Sequence, residues 1–302
     1  MKVVLRIMFL SISISLLLFF IQWLCTKRYF QTIQTNADAT FLLELNPGNQ
    51  GVGAILNCKG DRCFILTVAH LCDPSVAFNG VMKMIDSKRI TQAEGWAKTQ
   101  EYMSLTERKS FCHGLLVYDE GMKRVPMVPI SIDYKKDLML LEVKFSHEKP
   151  DIIVSSVSTV LPGKRIYTTI ISPEEKIKAV LFSQAGIYAK FSLPTNQEDE
   201  SQTYLQTEFS IGPGISGSPV FFEETNELMG VIRAELIDGN PLAPTKATFL
   251  TPIVDVQQFL KQSMKDENDN KSDRPHCYGQ KYLCNVARGE MSFLDALGHF
   301  RY

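Results

Sequence analysis

The chain has 302 residues, 45% of them hydrophobic, and 32 Lys+Arg against 33 Asp+Glu leave a formal net charge of −1. This is a globular composition with apolar material for one large core or two modest ones, which excludes a disordered or low-complexity chain. With no basic surplus, no nucleic-acid partner is expected.

In chain order, the first feature is an uncharged, mostly apolar stretch over residues 7–25, flanked by Lys2 and Arg6 before it and Lys27 and Arg28 after it. About 20 apolar residues suffice to cross a bilayer as a helix, whereas the apolar part of a cleaved signal is usually about 7 to 15 long. Residues 1–30 therefore read as a single-pass membrane anchor. Cleavage at Ala37-Asp38-Ala39 is the alternative, although that site lies a dozen residues beyond the stretch. Basic residues on both sides orient the span weakly. The expected topology is a short cytoplasmic N-terminus with the remaining chain extracytoplasmic, in the periplasm or a secretory compartment.

From residue 40 onward, short runs rich in Phe, Val, Ile, Leu and Thr alternate with Gly, Pro, Asn and Asp: GAILNC, CFILTVAH, HGLLVYD, DLMLLEVK, RIYTTIIS, KAVLFSQAGIYAKFS, SPVFFEE and LMGVIRAEL. Such spacing predicts an all-β sandwich or barrel rather than alternating β and α units. Residues 84–110 are polar and accommodate a short helix, and 194–203 read as an acidic loop. Residues 252–264 carry apolar side chains at helical spacing, which predicts a closing helix. Beyond them, 265–302 read as a polar linker, with a sequon at Asn270-Lys271-Ser272, and a tail in which 291–300 fit a short amphipathic helix.

The seven cysteines are Cys25, Cys58, Cys63, Cys72, Cys112, Cys277 and Cys284. A bridge from Cys58 or Cys63 to Cys72 would close the loop around His70, and Cys277 with Cys284 would close a loop in the tail. Both need an oxidising compartment, and reduced buried thiols are the alternative. A zinc site from His70, Cys72, Cys58 and Cys63 has an uncommon ligand spacing, so no metal is expected.

Three positions carry the chemistry. Ser216 sits on the glycine-rich turn Gly214-Ile215-Ser216-Gly217-Ser218-Pro219, His70 ends the apolar run 64–69, and Asp137 opens the run 138–143. A serine hydroxyl needs a base to take its proton and donors to stabilise the oxyanion it creates. Glycines at 214 and 217 permit a tight bend that turns the N–H groups of Gly214 and Ser216 toward one point. Asp133 is the rival to Asp137, but Asp137 directly adjoins the apolar run that would anchor it. The order His, Asp, Ser is that of one of the convergent forms of the catalytic triad.

These stretches resemble the trypsin-like serine peptidases, most closely the HtrA/Deg branch. The carriers are Gly51-Val52-Gly53-Ala54-Ile55, Leu66-Thr67-Val68-Ala69-His70, Asp137-Leu138-Met139-Leu140-Leu141, and Gln206-Thr207-Glu208 through Pro219. The resemblance implies a chymotrypsin-like pair of antiparallel β-barrels, about residues 40–147 and 165–255, within a protease domain over 40–264 and with the site in the cleft between them. It implies Ser216 as nucleophile, His70 as general base, Asp137 as its orienting carboxylate, and Gly214 and Ser216 N–H groups as oxyanion hole. It also implies a specificity pocket walled by Ser210 and by Ile232, Arg233 and Ala234, and no cofactor. Ile215 cannot form the ion pair by which digestive proteases respond to propeptide cleavage. Ser218 stands where the family has glycine, a strain if that position needs positive φ. The tail after the closing helix is too short for a PDZ domain.

The expected activity is a membrane-anchored serine endopeptidase acting on polypeptide through an acyl-enzyme. The alternatives are a protease-like scaffold without catalysis and an esterase using the same triad.

Overall fold

A computed structural model describes residues 2–45, 49–73, 81–82, 84–86, 88, 90–107, 115–118, 124–145, 149–171, 178–191, 202–209, 214–237, 246–269, 275–278, 284–285 and 288. It is mostly β. Strands β7 (Arg165–Ile171), β8 (Lys178–Phe191), β9 (Gln202–Thr207), β10 (Pro219–Phe222), β11 (Leu228–Ile237) and β12 (Lys246–Pro252) form a closed barrel in the order β10-β11-β12-β9-β8-β7, every pair antiparallel. Closure removes the unpaired edges that an open sheet would present.

The earlier strands form a seven-stranded sheet. They are β1 (Thr40–Leu45), β2 (Asn49–Lys59), β3 (Arg62–Thr67), β4 (Leu115–Tyr118), β5 (Arg124–Asp133) and β6 (Leu138–Lys144), joined by β13 (His276–Tyr278) from the tail. The order is β13-β5-β4-β1-β2-β3-β6, and β6 pairs with β5 as well. β13 lies parallel to residues 131–133 of β5, so part of the tail belongs to the sheet rather than to a linker.

One buried apolar cluster runs through both halves and includes Leu43, Ile65, Leu141, Tyr167, Phe221, Val231 and Phe259. Helix α3 (Ile253–Asp269) covers the junction. Its Ile253, Val256 and Phe259 recur at helical spacing on one face, and the helix contacts β11 and β12 of the barrel together with β5 and β6. Lys136 donates to Gln258 Oε1 at 3.0 Å and Gln257 to the Ser155 carbonyl at 2.6 Å, tying the helix to the β5–β6 turn and to the segment that connects the two halves. Residues 265–269, anticipated as linker, continue this helix. Helix α2 (Gln92–Glu107) lies within the polar segment 84–110 and starts on a capping box: Glu94 N–H donates to Thr91 Oγ1, and Thr91 N–H to Glu94 Oε2 at 2.7 Å. Of the anticipated acidic loop 194–203, Gln202 and Thr203 open β9; residues 192–201 and 289–302, which include the rest of that loop and the anticipated tail helix, lie outside the described residues.

Helix α1 spans Lys2–Asp38, eight residues past the anticipated boundary at 30. Its last turns dock on the barrel: Asn36 Nδ2 donates to Tyr167 OH at 2.8 Å and to the Asn226 carbonyl at 2.9 Å, Tyr29 OH donates to Glu223 at 3.0 Å, and Ile33 and Ala37 are buried. Lys178 Nζ donates to the Ala37 carbonyl at 2.7 Å, where a cation complements the C-terminal end of the helix dipole. Among the described residues no helix is long and apolar enough to cross a membrane. The side chains of residues 7–13, part of the anticipated span, lie outside the described ones.

The cysteines pair differently from one expectation. Cys58 and Cys63 face each other across the β2–β3 hairpin and form a disulfide. Cys72, assigned above to a bridge with one of them, is buried outside any disulfide, and its Sγ–H donates to Met139 Sδ at 3.5 Å. The correction has a local cause. Cross-strand neighbours on a tight hairpin are already within bonding reach, while Cys72 turns from a different element into the core. Cys277 and Cys284 are joined in a second disulfide.

Candidate active site

β3 runs straight into a short 3-10 turn, Ala69–Cys72, closed by Asp73 N–H on the His70 carbonyl at 3.0 Å. β6, antiparallel to β3 with Thr67 opposite Met139, begins one residue after Asp137. The shared register therefore brings the end of one strand and the start of the other to the same edge. There His70 Nδ1 lies 2.8 Å from Asp137 Oδ2, and the His70 backbone N–H donates to Asp137 Oδ1 at 2.8 Å. Both carboxylate oxygens are engaged by one residue, which fixes the plane of the imidazole relative to the carboxylate.

Asp137 has φ of +55°, a left-handed conformation that aspartate tolerates better than most residues. It closes the turn 134–137 between β5 and β6. Asp133 occupies the other end of this turn, where its Oδ1 accepts the Lys136 N–H at 2.9 Å. That is a turn-stabilising role, and the carboxylate beside the imidazole is Asp137.

The serine turn belongs to the approach to β10. Gly214 and Gly217 have φ of +89° and +92°. Backbone bonds lock the turn to both halves: Val52 N–H donates to the Ser216 carbonyl at 2.8 Å, Gly217 N–H to Ile232 O at 2.8 Å, and Ile232 N–H to Ser218 O at 2.9 Å. A Cβ built at Gly51 would lie 2.8 Å from the Leu71 side chain and 2.9 Å from the Ser216 carbonyl, so the residue after His70 and the serine itself crowd against one glycine. The Ser216 hydroxyl donates to the Arg233 carbonyl at 3.5 Å and shares no hydrogen bond with His70. Catalytic hydrogen bonds are often long or misaligned before substrate binds. Among the described residues, the N–H groups of Gly214 and Ser216 donate to no backbone acceptor.

Positive φ falls on the glycines and not on Ser218, so the condition for strain at Ser218 is not met. The cost of Ser218 is different. It is fully buried, and its hydroxyl has no hydrogen-bond partner among the described residues. Ser218→Ala is expected to raise unfolding free energy by about 1 kcal/mol or more, because it deletes an unsatisfied buried group at little change in volume. Urea titration of parent and variant measures this directly. The opposite outcome is expected at Gly217, where an added Cβ would run into the Val52 carbonyl and the Thr67 hydroxyl while also demanding positive φ. Gly217→Ala should lose at least about 3 kcal/mol by the same measurement.

The pocket assignment needs revision at Arg233. Its side chain does not line an open wall but turns inward: Nε lies 3.0 Å from Asp137 Oδ2, with 3% of the arginine side chain and 4% of the aspartate side chain exposed. Arg233 Nη1 donates to Tyr204 OH, and the guanidinium carbon lies 4.9 Å from that ring's centre. Nothing in the local sequence around Arg233 signals this partnership, which depends on two halves meeting. Ile232 is buried and acts through its backbone. Ser210 and the Ala234 side chain lie outside the described residues.

Burial alone would push the Asp137 carboxyl up. The charges of His70 and Arg233, with the two His70 hydrogen bonds, hold it below the ordinary aspartate value instead. The zinc set considered above is not assembled, since Cys58 and Cys63 are bonded to each other, and no cluster of three or more metal-ligating side chains occurs among the described residues. Compared with protein-family models and with curated protein sequences, the chain matches none.

Proposed function

We propose that this chain is a serine endopeptidase of trypsin-like architecture. The observation that carries the reading is His70 held by both oxygens of a buried carboxylate, its imidazole Nδ1 on Oδ2 and its backbone N–H on Oδ1, at the edge where the neighbouring Leu71 and the carbonyl of Ser216 both crowd Gly51. In this reading the ring of pairings from β5 through β4, β1, β2, β3 and β6 back to β5 acts as the partner of the closed barrel. Substrate lies in the cleft between them.

The chemistry follows from these positions. Ser216 Oγ attacks the scissile carbonyl as His70 takes its proton, and the oxyanion is met by the N–H groups of Gly214 and Ser216. His70 then protonates the departing amine, leaving an acyl-enzyme. Water, deprotonated by His70, releases the acid and restores the hydroxyl. Asp137 keeps the imidazole oriented and stabilises its cation throughout. No cofactor takes part.

Attachment to a membrane through residues 7–25 is part of the proposal, with the catalytic domain on the extracytoplasmic face. Ile14, Leu16, Leu17, Leu18, Phe19, Phe20, Ile21, Trp23 and Leu24 are exposed in sequence order around the whole helix, a pattern suited to lipid rather than to a one-sided partner. One observation favours the non-catalytic scaffold as second reading: the Ser216 hydroxyl is turned to the Arg233 carbonyl. Incubation of the purified full chain with an unfolded polypeptide decides between them. New N-termini that disappear in His70→Ala support the peptidase, and an intact substrate supports the scaffold.

A further inference from the structure

We propose that Arg233 is a positioning residue, a cation delivered from the barrel that fixes the Asp137 carboxylate facing His70. This rests on the reading of Ser216 as a nucleophile served by His70, and goes beyond it by giving the acid–base pair a third member from the opposite half of the molecule.

The geometry supports this at each contact. Asp137 Oδ2 is shared between His70 Nδ1 at 2.8 Å and Arg233 Nε at 3.0 Å, while Oδ1 takes the His70 N–H. Three donors from two elements leave the carboxylate no freedom to rotate away. The arginine is itself immobilised: Tyr204, buried on β9, receives its Nη1 and lies along its guanidinium face, and Tyr204 packs edge-on to Phe249 with ring centres 6.2 Å apart. The same residue borders the nucleophile, because its carbonyl accepts the Ser216 hydroxyl. An isolated buried ion pair is seldom superior to apolar packing for stability, so stability by itself is a weak reason for a buried arginine here. Holding the carboxylate that orients a base is a stronger one.

The charged groups facing Asp137 are His70, from the turn after β3, and Arg233, from β11. A permanent cation beside a buried carboxylate keeps it ionised when the solution is acidified. Without it, burial favours the protonated acid, which cannot hold the imidazolium, and the acid limb of the activity profile shifts to higher pH.

The test is the rate at which a fluorophosphonate probe labels the full chain, followed across the range in which histidine titrates. In Arg233→Met the acid limb is expected to move up by about one pH unit or more. In Arg233→Lys it is expected to stay where the parent has it while labelling slows at every pH, because an ammonium keeps the charge without the planar fork. A parent-like acid limb in Arg233→Met overturns the proposal, as does a lysine variant that shifts as far as the methionine one. A parent that is not labelled at any pH overturns the nucleophile reading and this one with it, whereas a labelled parent with an unmoved limb overturns this one alone. If circular dichroism shows Arg233→Met to be unfolded, Arg233→Lys decides. Slower labelling at an unchanged limb supports the proposal, and a parent-like rate ends it.

Discussion

Ser216→Ala is expected to eliminate covalent labelling by a fluorophosphonate and to lower peptide hydrolysis by roughly 10⁴- to 10⁶-fold. The other hydroxyl of the turn, on Ser218, is fully buried, and backbone bonds to Val52 and through Gly217 to Ile232 hold that turn whatever side chain is at 216. The variant therefore keeps its fold while losing the attacking oxygen. Residual hydrolysis above background is expected, since the amides of Gly214 and Ser216 remain in place to stabilise an oxyanion formed by water. Mass spectrometry of intact protein after probe treatment reads the result. A probe adduct that persists in Ser216→Ala, or one mapped to another residue, removes Ser216 from the mechanism.

The second large effect is at Asp137. Asparagine accepts the left-handed backbone found there, so Asp137→Asn tests the carboxylate and not the turn. Two partners lose their anion together. Arg233, with a side chain 3% exposed, is left as a buried cation, and His70 loses the acceptor that selects its tautomer. Removing one member of a buried pair costs about 3 to 5 kcal/mol, and the wrong tautomer costs about 10⁴ in rate. Denaturant unfolding and turnover measured on one preparation separate the two losses.

The pH dependence of stability gives an internal check on that substitution. Asp137 is held below the ordinary aspartate value of 3.8 in the folded chain. A carboxyl lowered on folding contributes stability that is fully present above its unfolded value and disappears as the pH falls from there through the native value. The parent should therefore lose stability on acidification below about pH 4, and Asp137→Asn should lack that component. Equal acid sensitivity in the two proteins would sink the assignment of Asp137 as the paired acid.

Much of this site was readable one residue at a time. Glycines at 214 and 217 signal positive φ because no other residue takes it without cost, and both adopt it. An apolar run ending in His70 and another starting at Asp137 are what antiparallel neighbours look like when they present polar ends at one edge, and β3 and β6 pair in that way. The apolar spacing of Ile253, Val256 and Phe259 likewise anticipates a helix with one buried face.

Where the reading went wrong, the missing information was non-local. The strain conditional on positive φ at Ser218 does not arise, since Gly217 takes that φ; what Ser218 carries instead is a buried hydroxyl without a partner among the described residues, set by how distant strands pack around it. Cys72 looked like a bridge partner by proximity to His70, but hairpin register delivers Cys63 to Cys58 first. The extent of α1 past residue 30, and the addition of β13 beside β5, depend on surfaces presented by segments far away in the chain.

Local composition and spacing were therefore enough for a mostly β chain with a histidine and an aspartate at strand ends and a serine on the turn before a strand, since turn conformation and alternation act over a few residues. Arg233 is the counterexample. Its guanidinium meets Asp137 only because β11 of the barrel and the turn before β6 converge under α3, and a charge pair made across such a junction leaves no periodic trace in either segment.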